Sequence, residues 1–96
     1  MNSYNILPPE TKKEIVRLHL EEGRTRESLA LEYGIAKSSI DRWTKEFRKE
    51  CREDPAAKEE LDTYELLRKL RQENAELKKE NEFLKKAAAF FAKEII

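Results

Sequence analysis

The sequence predicts an all-α protein. An N-terminal three-helix helix-turn-helix domain is followed by a long C-terminal helix that forms a parallel dimeric coiled coil. Three observations predict this. Leu70, Leu77 and Leu84 fall seven residues apart, and Asn74 and Asn81 follow the first two by four. A short helical segment, a glycine turn and a longer amphipathic segment run across Thr25–Arg52. Beyond Asp54-Pro55, no glycine or proline interrupts the chain. The predicted division is a helix-turn-helix domain over 1–53, a linker or helix start over 54–63, and a leucine zipper over 64–96.

Helix 1 is read as Pro9–Glu22. Proline suits the first helical turn, and Gly23 stands where a helix end needs positive φ. Ile15, Val16 and Leu18 supply one wall of a small core. Thr25 is the expected N-cap of a short second helix, Arg26–Tyr33, with Leu29, Ala30 and Tyr33 inward. Gly34-Ile35 makes the turn. The third helix runs from Lys37 to about Arg52, with Ile40, Trp43 and Phe47 on one face. Asp54 caps and Pro55 opens the last helix, which at 1.5 Å per residue extends roughly 60 Å. Ala, Leu, Glu, Lys and Arg dominate it, all strong helix formers.

The chain has 96 residues, 42% of them charged, with 20 basic and 20 acidic side chains and no net charge. That composition suits exposed helix rather than one compact globule. Net charge offers no argument for nucleic acid, so only its local distribution can. Cys51 is the single cysteine, and His19 is the only other soft ligand, so neither a disulfide nor a zinc site is expected. Both residues read as structural. No cofactor is implied. No apolar run approaches the roughly 18 residues of a membrane span, and the opening Met-Asn-Ser-Tyr-Asn lacks the basic and apolar regions expected of a signal peptide. A cytoplasmic protein without membrane contact is the expectation.

The third helix has a basic stripe opposite its core face: Ser38, Arg42, Lys45, Lys49 and Arg52. The second helix of such a unit enters the major groove of double-stranded DNA. Lys37, Ser38, Ser39, Asp41 and Arg42 would then lie deepest, with Arg42 able to pair with guanine through two hydrogen bonds. Lys45, Lys49 and Arg52 would meet phosphates. Thr25 and Arg26 would contact phosphate through a helix N-terminus and a guanidinium. The competing reading is a solvated basic face on a purely structural hairpin. Trp43 shares a face with Ile40 and Phe47 and is expected in the core.

Taking the spaced leucines as heptad position d, Leu70, Leu77, Leu84 and Phe91 form the d row. Leu67, Asn74, Asn81 and Ala88 form the a row. A buried Asn at a costs stability unless it meets its own copy, so it specifies register and strand number. Glu73 and Glu80 at g face Lys78 and Lys85 at e in a parallel homodimer, and like charges would meet in an antiparallel one. Leu61 and Tyr64 fall off these rows, so the tight zipper is expected to begin near Leu66-Leu67. A monomeric charged helix is the competing reading.

Two segments carry a family resemblance. Gly34-Ile35-Ala36-Lys37-Ser38-Ser39-Ile40-Asp41-Arg42-Trp43 resembles the helix-turn-helix of IS-three-type insertion-sequence transposases. The run from Glu80 to Glu94 looks like the end of their first-frame protein. The resemblance implies a non-catalytic accessory subunit that binds the terminal inverted repeats of a mobile element and dimerises. An integrase-like catalytic domain, lodged in another reading frame, would be its partner. Ala36 departs from the Ser that the family often has there as a helix cap. The alternative is a stand-alone helix-turn-helix transcriptional repressor with a zipper, and a third reading is a coiled-coil adaptor for proteins. No nucleophile–base pair points to an enzyme.

Overall fold

A computed structural model describes residues 7–95. Four helices follow in order: α1 Pro9–Leu20, α2 Arg26–Tyr33, α3 Lys37–Glu53 and α4 Pro55–Ile95. All the described regular structure is helical, as the composition and spacing predict.

Local chemistry accounts for each boundary. Pro8 is extended and its carbonyl accepts the first bonds of α1, from Thr11 and Lys12. The helix stops at Leu20, two residues short of the expected Glu22. The chain turns at Gly23, φ 72°, and Arg24 N–H returns to the Leu18 carbonyl at 3.1 Å. His19 Nδ1 donates to the Arg24 carbonyl at 2.7 Å, which holds the same turn. Thr25 caps α2 by accepting from Ser28 N–H at 3.1 Å. Gly34, φ 66°, ends α2, and Ile35 N–H bonds back to the Ala30 carbonyl at 3.1 Å. That is a Schellman-type end, and it drives Ile35 into the core. Asp54 breaks α3 and caps α4, its Oδ1 accepting from Ala56 N–H at 3.0 Å.

Ile15, Val16, Leu20, Leu29, Ile35, Ile40 and Trp43 form the core. Each of the first three helices contributes to it, and Leu18, Ala30, Tyr33 and Phe47 pack around it. The long helix is not a free arm at its start. Ala57 is buried, and Leu61 and Tyr64 pack against the core. The Phe47 and Tyr64 rings lie 6.1 Å apart. Cys51 is buried at this junction, its Sγ donating to the Ala57 carbonyl at 3.2 Å. Burial pushes the Cys51 thiol up from its ordinary pKa, with nearby carboxylates adding to the shift. Thus Leu61 and Tyr64, which fit no heptad row, attach α4 to the domain instead.

Candidate nucleic-acid interface

The candidate interface lies on α3. Ile40 and Trp43 face the core, so helical geometry turns Ser38, Arg42, Lys45, Lys49 and Arg52 to solvent, where all five are exposed. Trp43 is 6% exposed, and Lys12 Nζ lies 5.5 Å from its ring centroid, a cation–π contact across α1 and α3. The ring is therefore core and unavailable for stacking on bases. Lys45, Lys49 and Arg52 surround a shallow depression together with Arg48 and Glu46. Arg48 was not among the expected contacts. Its signal was the spacing of three from Lys45 and four from Arg52, though its guanidinium also lies 3.6 Å from Glu65 of α4.

Two acidic residues of α3 lie toward another flank, Glu46 at its border with the basic depression. Glu46 and Glu50 line a cleft of about 180 Å³ between α1, α3 and α4, with Trp43, Phe47 and Tyr64 on its apolar walls. Tyr64 donates its hydroxyl to Glu60 there. Burial first, and then this bond, raise the phenol above its usual range. A neutral chain thus presents a basic outer face.

At the start of α3 the expected contacts meet one another. Arg26 Nη1 pairs with Asp41 Oδ2 at 2.7 Å, joining α2 to α3. Lys37 Nζ lies 3.4 Å from Glu27 Oε1. The Glu27 carboxyl is held below its ordinary pKa by a backbone hydrogen bond at its own position and by Lys37. The paired side chains are about half exposed, and such pairs are worth little. Ser39 and Asp41 are half-buried, and Thr25 is engaged in capping. Ala36 stands at the N-cap of α3 without a side-chain bond, as its chemistry requires.

A family model described as Transposase matches residues 7–82. The chain belongs to the transposase helix-turn-helix family. The matched span covers all of the helix-turn-helix and more than half of α4. The protein is therefore of the DNA-binding, transposase-associated kind, and the part matched is a binding rather than a catalytic unit. No curated protein and no solved structure matches the chain. No described helix is long and apolar enough to cross a membrane.

Along α4, Leu70, Leu77, Leu84 and Phe91 are all exposed, and so are Asn74 and Asn81. Leu67, close to the domain, is half-buried. Leu66, Phe83 and Phe90 are exposed apolar residues outside both heptad rows. Heptad spacing had singled out none of these three as a contact.

Proposed function

We propose that this protein is the dimerising, sequence-specific DNA-binding subunit of an IS-three-type bacterial transposase. It binds the terminal inverted repeats of a mobile element from the cytoplasm. The observation that carries the reading is the basic face of α3, set opposite Trp43 and Ile40 in a chain of the transposase family. Arg42, Ser38, Ser39, Lys37 and Asp41 read bases. Lys45, Lys49, Arg52, Thr25 and Arg26 hold phosphates. In the free protein Asp41 keeps Arg26 in place, and phosphate takes over that guanidinium on binding.

Residues 1–53 form the DNA-binding domain and 54–63 begin the long helix. Residues 64–96 carry the zipper, a parallel homodimer along Leu67, Leu70, Asn74, Leu77, Asn81, Leu84, Ala88 and Phe91. The exposure of the d-row leucines on a single chain supports this, because a helix with an uncovered apolar seam gains by pairing. The catalytic integrase-like subunit is a further partner. Recovery of genomic fragments on the full chain at rising salt, followed by sequencing, tests the function. Enrichment of sites at the ends of a mobile element is the expected result. Retention without any sequence preference would contradict it.

A further inference from the structure

Glu21, just past the end of α1, is 8% exposed, the only charged side chain buried among the described residues. Two guanidiniums reach it. Arg17 Nη1 donates to Oε2 at 3.1 Å, and Arg71 Nη2 of α4 donates to Oε1 at 3.2 Å. Arg17 is shared with Glu14 and Glu22, so one cation serves three carboxylates. A buried carboxylate needs full compensation, and Arg71 supplies what Arg17 cannot. Arg68 adds a second guanidinium from α4, with Nε 3.4 Å from where a Cβ on Gly23 would stand. Both arginines thus sit at the C-terminal, negative end of α1.

The stripe of α4 that meets the domain is Ala57, Leu61, Tyr64, Arg68 and Arg71, at alternating spacings of four and three. At about 100° per residue, the zipper seam lies roughly a third of a turn round the same helix. Among the described residues Arg71 makes the furthest side-chain bond along α4 to the domain. Leu67 and Leu70 open the seam within the same two turns. The heptad pattern explains why Arg71 is free for this task. In a parallel pair its counterpart across the seam is Leu66, whereas Lys78 and Lys85 face Glu73 and Glu80.

We propose that the Glu21–Arg71 ion pair fixes the angle between the DNA-binding domain and the long helix. Arg71 is then a positioning residue that selects the spacing of the two half-sites a dimer accepts. The half-site consequence rests on the function proposed above; the angle does not. The test uses the full chain with Cys51→Ala and nitroxide labels on Leu31→Cys, on exposed α2, and Glu82→Cys, on α4. Labelled chains are diluted into unlabelled ones, and the distance distribution within one chain is measured by pulsed electron paramagnetic resonance. One narrow distance is expected for the parent and for Arg71→Lys. Its loss is expected in Arg71→Glu, which opposes two carboxylates, and in Glu21→Gln, which keeps shape and removes charge.

In parallel, duplexes carrying two copies of a recovered site are compared at spacings differing by half a helical turn, about 5 bp. Arg71→Glu should match the parent on a single site and lose its preference between spacings. An unchanged distance distribution in Arg71→Glu, or a retained spacing preference, would overturn the proposal. If no variant binds DNA, the DNA reading fails and the distance measurement still decides the angle.

Discussion

Trp43 joins the chemistry of the core to the interface it supports. The ring is buried under Lys12 and shares its helix face with Ile40, so it sets which way the basic residues of α3 point. Trp43→Ala should cost about 3–5 kcal/mol, a large share of the roughly 5–15 kcal/mol that holds a small domain. Denaturant unfolding measures this, and an unshifted midpoint would remove Trp43 from the core. On the outer face the proposed contacts divide by role. Arg42→Ala should lose about 1–3 kcal/mol at one base pair and relax specificity there. Lys49→Ala should weaken all sequences alike and lower the salt slope by about one. Titrations of matched and mismatched duplexes at several salt concentrations distinguish the two, and identical behaviour of both variants would refute the division. Residue type and helical spacing together made Trp43 and the stripe legible. It could not reveal Glu21, because an acidic residue reads as exposed until a tertiary partner buries it.

Among the elements, α1 and α3 begin without a side-chain cap, α1 opening on proline instead, and α2 and α4 begin with one. Thr25 and Asp54 cap α2 and α4 with side-chain oxygens, while Ala36 leaves the first N–H groups of α3 without such a partner. The backbone of Ala36 already has the extended geometry of a cap, at φ −77° and ψ 146°. Ala36→Ser should therefore stabilise the domain by about 0.5–2 kcal/mol, seen as a raised melting temperature. An unchanged one would mean the α3 terminus is satisfied without the side chain. The limits of α2 were readable because Thr, Gly and helix-forming residues each act locally. The docking of α4 was less so. Its contact stripe contains Ala57, Arg68 and Arg71, which carry no hydrophobic period, so Leu61 and Tyr64 showed only as residues off the zipper rows. The ion pairs Arg26–Asp41 and Arg71–Glu21 needed the fold to bring distant positions together.

At the largest scale the described residues measure 71 × 35 × 17 Å, a small helical domain at one end of a long rod. Past Arg71 the rod packs on no other helix among the described residues, and Leu70, Leu77, Leu84 and Phe91 stand 48–62% exposed. A helix of mixed charge with one apolar seam is stabilised by a second copy, and the Glu–Lys order along g and e favours the parallel pairing. Leu77→Lys would place two ammonium groups in that seam and should yield monomers in sedimentation equilibrium. A dimer that survives would move the seam elsewhere. In the proposed dimer two linked domains would bind two half-sites with a raised effective concentration. The most direct measurement is therefore the affinity of the full chain, and of its Leu77→Lys variant, for a duplex with two recovered half-sites against one. The parent should gain about a hundredfold from the second half-site and the variant should gain little. An equal gain in both would contradict a DNA-reading dimer held together by the long helix.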